Sequence, residues 1–203
     1  ISTFLGTLLI CTISAQQLAN FAWVKQMGGT SIDIGTSIAV DANGNVYTTG
    51  KFSGTADFDP GTGVTNLTSA GDYDIFISKL DSSGNLVWVK QMGGATADFA
   101  NAIAVDGSGN VYTTGVFTGT VDFDPSGTTY NLTAHGHVFV SKLNSTGDFV
   151  WAKQLGGLYN GSGNSITVDG GGAVYTTGFF VGEGDFDPGA GTYTLTALNT
   201  SSY

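Results

Sequence analysis

Apolar and polar residues alternate in short bursts along this chain, and the bursts recur in a fixed order. Segments 37–41, 45–52, 74–80 and 86–92 are rich in Val, Ile, Tyr, Phe, Thr and Trp, side chains that fit a pleated, half-buried surface. Glycine-bearing turns bound them. DANGN at 41–45 and DSSGN at 81–85 read as short hairpin connections, with Gly44 and Gly84 where a positive φ is needed. The expected product is a four-stranded antiparallel meander. Ile75, Phe76, Ile77 and Leu80 place apolar groups on both faces of their strand, whereas a sheet with one wet face alternates cleanly. Each sheet is therefore expected to be covered on both sides.

The pattern repeats. Trp23, Trp88 and Trp151, spaced 65 and 63 residues apart, open WVKQMGG, WVKQMGG and WAKQLGG. VDANGNVYTTG from Val40, VDGSGNVYTTG from Val105 and VDGGGAVYTTG from Val168 follow in step, as does DFDP at Asp57, Asp122 and Asp185. IFISKLDSSG from Ile75 and VFVSKLNSTG from Val138 occur twice only. Radial stacking of four-stranded sheets covers both faces of each sheet, which predicts an all-β chain with β-propeller architecture, a ring of about four to eight blades. A parallel β-helix is the competing architecture, but its rungs are much shorter. The expected blades span 21–87, 88–150 and 151–203, the third incomplete, each with an extra DFDP hairpin between its second and third strands. The first tryptophan phrase, 21–27, has no earlier strands of its own unit. It reads as an outer strand that completes the last blade of a closed ring, and both ends of the sequence are expected to be clipped.

These phrases carry a family resemblance. GG, then VDxxGNVYxTG, then DxFxSKLxxxGxxxW is similar to the SBBP β-propeller repeat of secreted bacterial proteins, over essentially everything from Phe21 onward. Ala173 departs from the pattern where Asn is usual, and His137 stands at the place of Asp74. The resemblance implies an extracellular or cell-surface propeller, often within larger proteins that carry adhesion or sorting domains. It implies no shared catalytic activity, and fold alone does not establish function.

Composition narrows the partners. Thirty-two glycines and three prolines suit many tight turns. A net charge of −10 repels phosphate backbones and anionic membranes, so no nucleic-acid partner is expected. The N-terminal TFLGTLLICTISA looks like the apolar core and cleavage region of a secretory signal, too short to span a bilayer. Residues 1–15 are thus expected to be a partial signal peptide and 16–203 the incomplete propeller, with no membrane insertion in the mature domain. Cys11, the single cysteine, lies inside that stretch, so no disulfide is expected. Ile10 before it poorly replaces the small residue of a lipoprotein site.

Candidate chemistry gathers at repeated loops. Asp57, Asp59, Asp122, Asp124, Asp185 and Asp187 pair across DFDP, and two carboxylates one residue apart can supply hard oxygen ligands for Ca²⁺. The competing reading has one Asp capping the turn by accepting backbone N–H bonds while Phe58 plugs between blades. Trp23, Trp88, Trp151, Gly44, Gly109 and Gly172 read as structural positions of the repeat. Asp41, Asn43 and Asn45 imitate the start of an EF-hand loop, but Phe52 stands where that loop needs Glu. His135 and His137, two apart, occur in one unit only and read as a solvated strand entrance rather than a metal site. The NxS/T sequons at Asn66, Asn131, Asn144, Asn160 and Asn199 read as ordinary turn and strand-edge residues.

No resident cofactor and no catalytic set is expected, Ca²⁺ being the one candidate ion. The resulting expectation is a non-catalytic extracellular binding, adhesion or structural module, secreted or on a bacterial cell surface. An extracellular glycan or protein would meet the rim bearing the DFDP hairpins. The alternative is the propeller portion of a secreted polysaccharide hydrolase or lyase whose active site lies outside this chain.

Overall fold

The structure is a computed structural model that describes residues 22–157 and 160–198. The signal-like segment 1–15, with Cys11, and Asn199 lie outside the described residues. Among the described residues fifteen strands form, and no helix is long and apolar enough to cross a membrane.

After β1 (Gly28–Gly29), the first unit holds β2 (Asp33–Val40), β3 (Val46–Phe52), β4 (Thr55–Asp57), β5 (Asn66–Thr68), β6 (Asp74–Leu80) and β7 (Leu86–Gly94). Strands β2, β3, β6 and β7 pair antiparallel in that order, and β4 pairs with β5. The second unit repeats the meander with β8 (Phe99–Val105), β9 (Val111–Asp122), β10 (Asn131–Leu143) and β11 (Phe149–Gly157). Here the DFDP pair is not separate. It continues β9 and β10 past a bulge at His135/His137. The third unit contains β12 (Gly161–Val168), β13 (Val174–Phe180), β14 (Glu183–Asp185) and β15 (Thr194–Thr196).

Two expectations need correction. The first tryptophan phrase, which precedes the first unit, forms no strand at 22–27, and only its Gly28–Gly29 is paired. The physical reason is partnership, because in the other copies this phrase lies along a third strand, β6 or β10, and the described residues before Gly28 contain no such strand. Successive four-stranded sheets are also not independent. The last two residues of β7 pair with β9, and those of β11 with β14, so most strands belong to one ten-stranded antiparallel sheet that does not close.

The core fills the space between the first two units. Ile75, Ile77 and Met92 of one meet Ile103, Phe117, Phe123, Phe139 and Leu143 of the other. Polar links tie the first strands of neighbouring units side by side. Thr36 Oγ1 donates to the Ala100 carbonyl at 2.6 Å, and Asn101 Nδ2 donates to Ser162 Oγ at 2.8 Å and to the Gly163 carbonyl at 2.9 Å. Apolar positions buried inside the array open at its two ends: Ile103 is 6% exposed against 65% for Ile38, and Tyr112 is 1% exposed against 57% for Tyr175. Burial at this repeat depends on a neighbouring unit, as expected where each sheet needs cover on both faces.

Candidate functional site along the DFDP edge

Each DFDP segment is built by its own carboxylates. Asp57 Oδ1 accepts from the N–H of Asp59 at 3.0 Å and of Thr65 at 2.8 Å. Asp122 Oδ1 does the same with Asp124 and Tyr130, and Asp185 Oδ1 with Asp187 and Tyr193. One oxygen thus closes each eight-residue loop at both ends, a local side-chain substitute for ladder bonds. The backbone bonds hold Asp57 and Asp185 below the usual carboxylate range, because they favour the charged form. The second aspartates cap the next turn: Asp59 accepts from Gly61 N–H, Asp124 from Ser126 N–H and the Thr128 hydroxyl, and Asp187 from Gly189 N–H.

Between the paired aspartates a phenylalanine turns inward. Phe58 packs edge-on to Phe52 at 5.3 Å between ring centres and against Phe76 at 4.9 Å. It therefore anchors the loop chiefly to strands of its own unit. Phe123 makes the equivalent contacts with Phe117 and Phe139, and it also joins the core shared with Ile75 and Met92. Phe186 lies against Phe180.

The GG of the preceding tryptophan phrase completes the edge. Gly28 pairs with Asp57 and Gly29 with Ala56, Gly93 with Asp122 and Gly94 with Val121, Gly156 with Asp185 and Gly157 with Gly184. A Cβ on Gly29 would lie 2.1 Å from the Thr55 carbonyl oxygen, and one on Gly94 2.2 Å from that of Thr120. Only glycine allows this approach. GG lies on the crossing between units, and its strand pairing with DFDP was not among the expectations from the sequence. The clue was present, since the two phrases keep one separation in all three units.

Between consecutive DFDP loops lies an open, mainly polar cleft of ≈390 Å³. Its walls include Tyr130 and Asn131 from the second loop, Lys153 and Gln154 from β11, and Asp187 from the third loop. Where the first two units meet, Lys90 lies near enough to Asp124 for its charge to act on that carboxylate. Burial raises Asp124, but bonds from Ser126 and Thr128 and the charge of Lys90 outweigh it and leave the group below its ordinary range.

The opposite ends of the strands carry the DxxGN turns. Asp41 Oδ1 accepts from Asn43 and Asn45 N–H, while Oδ2 accepts from the Asn45 amide at 2.7 Å and from the Tyr47 hydroxyl at 3.1 Å. Asp106 repeats all four bonds. Asp169 keeps three, since Ala173 has no amide to donate. Gly44, Gly109 and Gly172 have φ of 78°, 79° and 86° in these turns, which are hairpin turns with fully engaged aspartates. Trp23 and Trp88 donate to the carbonyls of Ser82 and Ser145, fastening each tryptophan phrase to a turn of the next unit.

The histidines separate. At the bulge Gly136 has φ 83°, His135 faces Thr118 and is exposed, and His137 faces Phe117 and is half-buried. The extra residue breaks the two-residue alternation that would have put both on one side. Among the described residues no group of three or more His, Cys, Asp or Glu is placed to hold a metal ion.

With this geometry in view, a family model described as a β-propeller repeat, SBBP, matches residues 22–55 and 87–116. Two stretches of the chain carry the SBBP signature. Each runs from the tryptophan phrase into the meander that follows, so the SBBP unit spans the GG crossing described above. The chain is also similar to an uncharacterised WD repeat-containing protein of Acanthamoeba polyphaga mimivirus, 26% identical over 195 residues, covering 81% of this chain and 14% of the relative. A second relative is the regulatory protein FlaEY of Caulobacter vibrioides, 25% identical over 165 residues, covering 79% of this chain and 17% of the relative. The chain therefore spans only a small part of the curated relatives it matches. All-β antiparallel sheets with SBBP repeats indicate a repeat protein of binding or structural type.

Proposed function

We propose that this chain is part of a β-propeller that acts outside the cell as a non-catalytic binding or adhesion module, its ligand seated at the DFDP edge. Each meander is one blade, the DFDP strands form an added hairpin, and further blades cover the apolar faces left open at Ile38 and Tyr175. The observation that carries the reading is the polar cleft between the second and third DFDP loops, walled by Tyr130, Asn131, Lys153 and Asp187. Carboxylate, ammonium and amide groups beside Tyr130 match a polyhydroxylated glycan, which offers donors, acceptors and an apolar sugar face. The loop aspartates Asp57 and Asp185 are held as anions by backbone N–H groups, a state suited to accepting hydrogen bonds rather than to giving a proton as a general acid.

The test is glycan-array binding by the protein that contains this chain, followed by titration of hits against Lys153→Ala and Asn131→Ala. The expected outcome is binding to a subset of glycans that weakens about tenfold or more in the cleft variants. An array without hits, or hits unaffected by both substitutions, rejects a glycan site at this edge.

A further inference from the structure

We infer that Asp74 and Asp98 form a buried proton-binding pair across the Gly93–Gly94 crossing, and that this pair tightens the junction between the first two units as the pH falls. The inference concerns packing between units and does not depend on the ligand proposed above.

Both side chains are fully buried, with 0% exposure, although carboxylates are rarely buried without a counter-charge. They press on consecutive residues of the crossing. A Cβ on Gly93 would lie 2.2 Å from the Asp74 carboxyl carbon, and Gly94 N–H donates to Asp98 Oδ2 at 3.0 Å. Asp98 Oδ1 accepts from Thr118 N–H at 3.1 Å, so this carboxylate ties the crossing to β9. Asp74 Oδ2 accepts from Ala70 N–H at 3.0 Å and from the Gln91 amide at 2.6 Å, while Oδ1 is buried with no hydrogen-bond partner. That oxygen carries its charge without a hydrogen bond to offset burial, and protonation of the carboxyl removes the charge.

The charged and titratable groups packed around the pair offer little compensation. Gln91 on β7 is neutral. Lys51 on β3 has its ammonium 4.8 Å from the Tyr73 ring centre and 4.1 Å from that of Phe99, over aromatic faces. His135 on β10 lies opposite Thr118 and is exposed. Burial raises Asp74 above its ordinary value. Burial likewise pushes Asp98 up to about 7, with the charge of Asp74 adding to it and the N–H groups of Thr118 and Gly94 opposing. Two like charges sharing a dry site resist simultaneous ionisation. At the next junction the corresponding positions hold His137 and Gly161, so that junction lacks the acid pair.

The direction of the pH dependence follows. A carboxyl whose folded value exceeds its unfolded value of about 3.9 binds more protons when folded, so its contribution is complete below about pH 4 and is lost as pH rises through about 7. Most exposed aspartates act oppositely, being fully ionised above pH 5 and constant across this window.

The decisive measurement is a carboxyl-carbon NMR titration of the whole chain with Asp98 assigned, expected to show a midpoint near 7. In parallel, the Tm of the wild type should fall by on the order of 5 °C between pH 5 and pH 8, and Asp98→Asn should flatten that fall. A His135→Gln control should keep it. Hydrogen exchange at Gly94 N–H should quicken with rising pH more than at Gly156 after correction for intrinsic rates. A midpoint below 5 in the wild type, or an undiminished Tm fall in a folded Asp98→Asn variant, overturns the inference. If Asp98→Asn does not fold, the wild-type titration decides alone.

Discussion

Gly94→Ala tests the joint that turns separate repeats into one structure. The new Cβ would stand 2.2 Å from the Thr120 carbonyl oxygen and 3.1 Å from its carbon, where ordinary contact begins at 3.4 Å. A backbone carbonyl in a paired strand cannot swing aside, so β7 and β9 must part by roughly an ångström. That movement breaks the pairing of Gly93 with Asp122 and of Gly94 with Val121, and with it the bond from Gly94 N–H to Asp98. Two ladder bonds at about 1 kcal/mol each and one bond to a carboxyl at about 1.5 kcal/mol give roughly 3–4 kcal/mol. The loss of unfolded-chain freedom on replacing Gly by Ala offsets about 0.4–1 kcal/mol. The expected net cost is therefore about 2–3 kcal/mol, a Tm lower by about 4–12 °C for a chain of this size. Gly107→Ala is the control, since a Cβ there meets nothing within 4 Å, and it should change stability by less than about 0.5 kcal/mol. Urea unfolding of both variants beside the wild type supplies the numbers. If the two variants match within about 0.5 kcal/mol, the reasoning that close strand approach selects glycine here is wrong.

Three further outcomes follow from the same geometry. Phe123→Ala removes a fully buried ring that touches Phe117 and Phe139, and should cost about 3–5 kcal/mol in urea unfolding; a cost below about 1 kcal/mol would mean that the loop is not anchored through this ring. Ala173→Asn restores the amide that Asn45 and Asn110 donate to their turn aspartates, and calorimetry should show Tm rising by about 1–3 °C. Because the DFDP oxygens Asp57 Oδ1, Asp122 Oδ1 and Asp185 Oδ1 already accept two backbone bonds each, millimolar Ca²⁺ followed by EDTA should leave Tm within about 1 °C; a reversible shift of several degrees would identify these loops as ion sites instead.

Much of the local structure was legible without coordinates. The segment 74–80 coincides with β6, and the DANGN, GSGN and GGGA turns put glycine at positive φ, because these features are dictated by neighbours within a few residues. The cap made by the first DFDP aspartate was among the readings of the sequence for the same reason: donor and acceptor lie eight residues apart or fewer. The tryptophan phrase shows the limit of local reading. Its copies at Trp88 and Trp151 form strands while the copy at Trp23 does not, although Trp23 and Trp88 open identical heptapeptides. Strand formation there depends on whether a third strand lies alongside.

The period, the meander and the turn chemistry were thus determined by the sequence, since side-chain alternation and glycine's φ range act over a few bonds. Only the tertiary structure decided that GG pairs with DFDP, that Phe58 anchors chiefly within its own unit, and that Asp74 and Asp98 are both buried beside the Gly93–Gly94 crossing. Each of those facts joins residues distant along the chain, and burial and strand approach arise only once two units have packed.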